Sequence, residues 1–276
     1  MKFKLIFALF NGIILISFLF VFLMPLFILG LENTAGFWGQ NWYLVLVFAG
    51  ILGVLDLYFF VNWRTFQLLE REDWSGLAAH LENRIFEKKQ YSDQSIRLLC
   101  NAWVVQGKPL EILRLETLLR ERKPGLVPRY GLLLGIPYLM KNEADSMVNF
   151  FAPLAANPRT SDLQWMQFNH AFGLLAKREI EASVTILEGL GQQKKERIVQ
   201  LLALYLLDSN TASGANSSAN TTISTAIAEF RKQFSQATFA KYSERFRENL
   251  QVIILSKFIG EASAWIFTVP QIPQRN

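Results

Sequence analysis

Uncharged apolar residues dominate the first sixty positions of the chain. No residue from 5 to 29 is charged, and about 20 consecutive apolar residues are enough for a helix to span a bilayer. A second apolar run covers residues 43–61. Trp38 and Trp42 precede it, and aromatic side chains at this place are typical of the lipid headgroup region. The pattern therefore predicts a transmembrane helical hairpin within residues 1–63.

A cleavable signal peptide is the competing interpretation of the first run. The apolar part of a signal peptide is usually about 7–15 residues long and ends at a cleavage site of small residues. The run here is longer, and no such site ends it. The single cysteine, Cys100, lies far from the run, so it offers no lipoprotein anchor. These features favour the hairpin.

Basic residues flank both outer ends of the hairpin. Lys2 and Lys4 precede the first run, and Arg64 and Arg71 follow the second, whereas the connection contains neither Lys nor Arg. Because Lys and Arg accumulate on the cytoplasmic side of membrane proteins, the sequence predicts that both termini are cytoplasmic. The expected location is the bacterial inner membrane.

Two polar residues interrupt the apolar runs. Asp56 is an ionisable residue at membrane depth, which is costly and raises the question of a functional role. A proton or ion role competes with a simpler one, in which Asp56 reaches the interface or bonds to a neighbouring helix. Together with Asn11 it is a candidate intramembrane polar site, and Gly50 and Gly53 offer room for a neighbouring helix.

Apolar residues recur at intervals of three and four from residue 64 onward, which is the period of amphipathic helices. The clearest sets are Leu77, Leu81 and Ile85; Leu98, Ala102 and Val105; and Leu110, Leu113 and Leu118. Strict alternation, the mark of a strand, is absent from this sequence. The sequence therefore predicts an all-α protein.

The helical region also repeats itself. Second helices of successive hairpins are predicted to start at Trp74, Pro109, Ala144 and Ile180, at spacings of 35, 35 and 36 residues. The best-defined unit combines Leu134, Gly135, Tyr138, Ala144, Phe151 and Pro158. This pattern resembles the tetratricopeptide repeat, a helix-turn-helix unit of about 34 residues. The resemblance implies an α-solenoid of helical hairpins over residues 64–207, in which stacked units share one core.

The resemblance to tetratricopeptide proteins also implies a concave groove that binds peptides or partner proteins. The corresponding positions are Gln94, Arg97, Asn101, Arg129, Leu132, Ile136, Trp165, Phe168 and Phe172. Arg97 and Asn101 fall where carboxylate-binding members of the family place a Lys and an Asn. Leu133 stands where a further basic residue would help. The alternative is that the two arginines are solvated and that Trp165 and Phe172 belong to the core.

Composition changes again after the repeats. Residues 208–222 are rich in Ser, Asn, Thr, Ala and Gly, which predicts a flexible loop. Two terminal helices are predicted over 223–234 and 237–267, within a capping region of residues 223–276. Their apolar stripe contains Phe239, Tyr242, Phe246 and Leu250. We expect these helices to close the solenoid; a membrane-surface helix with Lys241, Arg245 and Arg247 is the alternative.

The chemistry-bearing residues are few. The chain has one Cys and two His, so a disulfide framework or a Cys- or His-rich metal site is not expected. Phosphate-binding loops, dinucleotide fingerprints and hydrolase motifs are absent from the sequence. The net charge of +5 is spread widely rather than gathered in a stripe, which argues against nucleic-acid binding. We therefore expect no catalytic residue, cofactor or metal.

Two functions follow from this architecture. The first is a membrane-anchored scaffold or adaptor that binds partner proteins through its repeats. The alternative is an accessory subunit of a membrane transporter or motor that acts through its transmembrane helices and Asp56. Residues 62–86 are also similar to membrane-bound tetratricopeptide proteins of spirochaetes, some of which help to assemble the collar around periplasmic flagella. That similarity implies a partner within a large motility assembly, and it competes with the cytoplasmic orientation.

Overall fold

The computed structural model describes residues 2–211, 217–247 and 249–268. These residues form helices and turns, with no strand among them, so the predicted all-α class is confirmed. The chain divides into two compact units, Met1–Gln106 and Gly107–Asn276. The first unit contains α1 (Lys2–Glu70), α2 (Trp74–Glu82), a π-helical turn (Asn83–Glu87) and α3 (Asp93–Val105). The second contains α4 (Ile112–Arg122), α5 (Val127–Leu134), α6 (Ile136–Lys141), α7 (Ala144–Ala155), α8 (Leu163–Ala176), α9 (Ile180–Gln192), α10 (Arg197–Thr211), α11 (Ser217–Gln233), α12 (Gln236–Glu244), α13 (Leu250–Ile254) and α14 (Ser256–Thr268).

Helix α1 is broken at Gly30 (φ 74°, ψ 169°) and at Asn41 (φ −116°, ψ 21°). A positive φ costs glycine little, because it has no Cβ. The break at Gly30 separates two parts, Leu9–Ile28 and Thr34–Glu70, that are long and apolar enough to cross a membrane, and the kink at Asn41 lies within the second part. The two predicted apolar helices are therefore confirmed. By length and composition they are compatible with a membrane anchor or with a signal sequence.

Aromatic rings hold the two apolar helices against each other. The rings of Phe22 and Trp38 stack with centroids 4.5 Å apart. The rings of Phe18 and Phe48 lie 5.1 Å apart. The two helices therefore pack as a hairpin, and the second is longer than the predicted 43–61.

Helix α1 continues past the apolar run and packs against α2. The side chain of Asp73 starts α2 by accepting a hydrogen bond from the backbone N–H of Gly76 at 2.8 Å. The predicted stripe Leu77, Leu81 and Ile85 is fully buried. These apolar residues pack α2 and the π-helical turn against α3. Val105, which was assigned to the stripe of α3, is instead 57% exposed.

The four helix starts predicted from the repeat spacing are confirmed. Helix α2 begins at Trp74, a 3₁₀ turn leading into α4 begins at Pro109, α7 begins at Ala144 and α9 begins at Ile180. In the second unit, α7, α8, α9 and α10 each pack against the next helix along the chain. The sequence therefore predicted these boundaries correctly.

Helices α5 and α6 approach α7 closely. Gly135 separates α5 from α6, and a Cβ added to it would lie 2.5 Å from Cζ of the buried Phe151. Tyr138 stacks on Phe150 with ring centroids 4.5 Å apart. Its hydroxyl donates a hydrogen bond to Oε2 of the buried Glu116 at 2.6 Å. Burial and this carboxylate raise the pKa of Tyr138 above its ordinary value.

Helix α10 lies at the centre of the second unit. Residues 198–204 are all buried, as are Leu206 and Leu207. Helices α8, α9, α11 and α14 all pack against it. A helix that is apolar on every side is one that neighbours surround. The terminal helices α11 and α14 thus cover the sides of α10 that α8 and α9 leave free.

Two predictions for the C-terminal region are wrong. Residues 208–211 and 217–222 belong to α10 and α11 rather than to a flexible loop; the middle of that loop, 212–216, lies outside the described residues. The predicted helix over 237–267 is divided into α12, α13 and α14. The side chain of Asn249 accepts a hydrogen bond from the backbone N–H of Gln251 at 3.0 Å, which starts a new helix there.

Candidate partner-binding surface

The first three candidate groove residues lie along one face of α3. Gln94 and Arg97 are exposed, and Asn101 is half-buried. Nε of Arg97 lies 2.9 Å from Oδ2 of Asp93, one helical turn away. Such an exposed pair contributes little to stability, so Arg97 is accessible to a partner. Within the first unit Arg97 is thus exposed, whereas Gln94 also accepts a hydrogen bond from the hydroxyl of Tyr58 on α1.

Cys100 lies on the same helix but is fully buried. Burial raises the pKa of its thiol to about 12. The thiol therefore stays protonated at neutral pH, and a protonated thiol is a poor nucleophile and a poor metal ligand. It is part of the core of the first unit.

Three candidates in the second unit are core residues. Ile136 and Phe168 are fully buried, and Trp165 is 4% exposed. A partner cannot contact these side chains, so their assignment to an open groove is wrong. The reason is that α8 is covered by α7, α9 and α10. Among the remaining candidates, Arg129 is exposed, whereas Leu132 and Phe172 are half-buried.

The chain's own C-terminal segment covers the face of α8 that the resemblance assigned to a ligand. Nε2 of Gln251 in α13 donates a hydrogen bond to Oδ1 of Asn169 in α8 at 3.0 Å. The ring of Phe258 in α14 lies 6.2 Å from that of Phe172. Helix α13 also packs against α5. A partner at this face would have to displace α13 and α14.

Asn169 and Gln251 were not identified from the sequence. Both are at least 99% buried, and Nδ2 of Asn169 and Oε1 of Gln251 make no hydrogen bond among the described residues. A buried polar group without a partner costs about 1–3 kcal/mol. The pair therefore fixes the position of α13 on α8 at a cost in stability. The available signal was Gln251, the one polar residue of the otherwise apolar segment Leu250–Ile254.

Half-buried aromatic rings form a band beside this contact, contributed by α8, α10 and α14. The rings of Phe258 and Tyr205 lie 5.3 Å apart, and those of Tyr205 and Trp265 lie 5.5 Å apart. Trp265 donates a hydrogen bond from Nε1 to Oδ2 of Asp208 at 3.1 Å. Trp and Tyr are enriched among the residues that dominate protein interfaces. The band is therefore a second candidate surface.

A cleft of about 440 Å³ lies between α9, α10 and α11. Nζ of Lys194 and Oε2 of Glu229, two of its lining residues, are 2.9 Å apart. The lysine lowers the pKa of that carboxyl below its ordinary value. Within the described residues, no three His, Cys, Asp or Glu side chains come together as a metal site requires. The cleft therefore offers a charged pair and no set of metal ligands.

Asp56 lies on the outside of the apolar hairpin. Phe48 and Phe59 face the first apolar helix, with which their rings make contact. Asp56 is exposed, and it shares its side of the helix with Gly53 and Ala49, three and seven residues before it. A Cβ added to Gly53 would meet no atom within 4 Å. Asn11, the other member of the predicted polar site, is half-buried.

A protein-family model described as "Uncharacterised Treponema protein" matches residues 111–268. The chain belongs to this family. A relative from Treponema pallidum (strain Nichols), itself described as an uncharacterized protein, is 23% identical over 281 residues. The alignment covers 97% of this chain and 88% of the relative. No solved structure matches the chain.

The family match coincides with the second compact unit. It begins at Glu111, just before α4, and ends at Thr268, the last residue of α14. The matched region therefore contains the central helix α10 and the contact between Asn169 and Gln251. The helices α13 and α14 belong to the family's common region together with α8, which they cover.

Proposed function

We propose that the protein is a membrane-anchored scaffold that binds partner proteins through its helical units. The observation that carries this proposal is the course of α1, whose second part runs from Thr34 to Glu70 and packs against α2. Within the first unit, the second arm of the apolar hairpin thus continues into the part of α1 that contacts α2. The distribution of Lys and Arg supports an inner-membrane location with both termini in the cytoplasm.

Two surfaces support binding. The polar face of α3 carries Gln94, Arg97 and Asn101, and the aromatic band carries Tyr205 and Trp265. Arginine and large aromatic residues are those that contribute most at interfaces. The tetratricopeptide-like spacing of the helices supports a protein ligand. The similarity of residues 62–86 to membrane-bound spirochaete proteins extends the proposal to assembly of a large membrane complex, such as a flagellar motor collar.

Affinity capture from native membranes tests this function. Tagged full-length protein is purified in mild detergent beside an Arg97→Ala/Asn101→Ala variant and a Lys241→Ala control, which alters an exposed lysine of the second unit. We expect a partner that wild type and control retain and the double variant loses, with unchanged helicity by circular dichroism. Equal recovery of the same partner by all three proteins would exclude the α3 face.

The position of Asp56 favours a second function, that of an accessory subunit acting through its transmembrane helices. An ionised aspartate at the centre of a membrane helix costs about 2.5–3.5 kcal/mol, and Asp56 is exposed on the side of its helix that carries Ala49 and Gly53. Ala49 and Gly53 leave the backbone beside it open, a composition found where membrane helices pack. A partner helix with a donor or a positive charge would satisfy this carboxylate.

Substitution of Asp56 distinguishes the two functions. Under the accessory-subunit function, Asp56→Leu releases a membrane partner from the detergent-solubilised complex while the Arg97→Ala/Asn101→Ala variant retains it. Under the scaffold function the pattern is reversed. Blue native electrophoresis of both variants measures the loss of the complex directly.

A further inference from the structure

The segment that follows α2 folds back to the end of the apolar run. The hydroxyl of Tyr58 donates a hydrogen bond to Oε1 of Gln94 at 3.3 Å. A nitrogen of the Arg84 guanidinium donates to Oδ1 of Asn62 at 3.2 Å. Two side chains of α1, one helical turn apart, therefore hold both ends of the segment 84–94.

This contact defines the depth of the segment in a membrane. The apolar run of α1 ends at Val61. Headgroups add about 5–8 Å to each side of a hydrocarbon core about 30 Å thick, and a helix rises about 1.5 Å per residue. Residues 62–66 of α1 therefore cross the headgroup layer. Segment 84–94, which is bonded to Tyr58 and Asn62, lies at the same level.

The segment brings positive charge to this level. Lys88 and Lys89 are exposed, as is Arg64 on α1. Arg84 bonds to two neutral amides, Asn62 and Gln90, so these contacts leave its charge uncompensated. Four basic side chains that are up to 25 positions apart in the sequence thus lie on the end of α1 and on the segment bonded to it.

The pKa of His80 is sensitive to these positive charges. It is half-buried in α2, and its pKa is lowered first by burial and then by the positive charges of Arg64, Arg84 and Lys88. One imidazole is therefore under the influence of three cations that come from two parts of the chain, α1 and segment 84–94. An anion bound among these cations would offset their effect on His80.

We propose that Arg64, Arg84, Lys88 and Lys89 form a binding site for the phosphate-bearing headgroups of anionic phospholipids. The site rests on the membrane anchorage proposed above. Its ligand is the anionic lipid of the leaflet that α1 leaves as it enters the cytoplasm. Binding of headgroups at both α1 and segment 84–94 holds the first unit against the membrane surface.

Lipid retention tests the site in the full-length protein. The protein is reconstituted in nanodiscs of phosphatidylcholine with phosphatidylglycerol, released, and analysed by native mass spectrometry. We expect enrichment of phosphatidylglycerol that falls at least about 30-fold in Lys88→Glu/Lys89→Glu, because each basic residue near an anionic surface contributes about a fivefold preference and the new carboxylates repel the lipid. The charge-matched control, Lys241→Glu/Lys257→Glu in the second unit, retains the enrichment. Equal retention by the two double variants would overturn the proposal.

A second readout uses the fact that the chain has only two histidines. With ¹³C-labelled histidine, NMR follows the pKa of His80, and His170 in the second unit serves as the internal control. We expect the pKa of His80 to rise when phosphatidylglycerol replaces part of the phosphatidylcholine, and Lys88→Glu/Lys89→Glu to abolish that lipid-dependent rise. An equal rise caused by inorganic phosphate in pure phosphatidylcholine would overturn the assignment to lipid.

Failure of the membrane anchorage has a different signature. A protein that does not span a bilayer is not incorporated into nanodiscs and does not float with liposomes in alkaline carbonate. A protein that is incorporated, yet shows no preference for phosphatidylglycerol, refutes the headgroup site alone.

Discussion

Substitution of Gly135 by alanine tests the close approach of α5 and α6 to α7. A Cβ at this position would lie 2.5 Å from Cζ and 2.6 Å from Cε1 of Phe151. The Phe151 ring is fully buried and packs edge-on against Phe150 with centroids 5.0 Å apart. The ring therefore has little room to move away. We expect Gly135→Ala to destabilise the second unit.

The magnitude follows from two opposing effects. Overpacking of a filled core costs about 1–3 kcal/mol. Alanine also reduces the conformational freedom of the unfolded chain, which raises the free energy of unfolding by about 0.5–1 kcal/mol. This gain applies because Gly135 has an ordinary right-handed conformation (φ −76°, ψ −15°). The net loss is about 1–2 kcal/mol, and each kcal/mol lowers Tm by about 2–4 °C in a unit of this size. We expect Tm to fall by about 4 °C.

Thermal unfolding of the full-length protein in detergent, followed by near-ultraviolet circular dichroism, measures this change. Gly189→Ala is the matched control, because Gly189 lies in α9 and a Cβ there would meet no atom within 4 Å. It should raise Tm by about 2 °C through the conformational effect alone. The double variant Gly135→Ala/Phe151→Leu should lose less stability than the two single changes added together. Equal Tm changes for Gly135→Ala and Gly189→Ala would refute the reasoning.

Three further outcomes are expected. Tyr138→Phe removes the hydroxyl that donates to the buried Glu116 and should cost about 1–2 kcal/mol in denaturant unfolding; an unchanged midpoint would contradict that hydrogen bond. Burial lowers the pKa of His170, so the unfolded chain binds its proton more readily, and the stability present above about pH 6.5 should decline as the pH falls below that value; His170→Asn should flatten the decline. Cys100, with its pKa raised to about 12, should react with a thiol reagent only after unfolding, and rapid labelling of the native protein would contradict its burial.

The helix boundaries were predictable because local chemistry determines them. The side chain of Ser92 caps the start of α3 and accepts a hydrogen bond from the backbone N–H of Ser95 at 3.1 Å. Trp74 follows the capping Asp73, and Pro109 opens a helical turn where its missing N–H is no loss. These signals lie within a few residues of each helix boundary, so they can be recognised in a single sequence.

The buried faces were less predictable. The expected stripe of α4 contained Leu110, yet this residue is 50% exposed, and Ile112, Leu115 and Leu119 are buried instead. Leucines lie on several sides of α4, so the spacing of its apolar residues does not show which side is buried. For α8 the deciding contact is Gln251 with Asn169, which are 82 residues apart. No sequence pattern near Trp165 predicts this long-range contact.

The central position of α10 has a consequence for the order of events during synthesis. Helices α11 and α14 both pack against α10 and are synthesised after it. Helix α14 ends at Thr268. While the ribosome is still translating that region, the apolar sides of α10 have no cover, whereas the hairpin in α1 is already complete. The second unit therefore reaches its native packing only after α14 has been translated, on a nascent chain whose first helices have already formed. Until then α10 is the segment on which a chaperone would act.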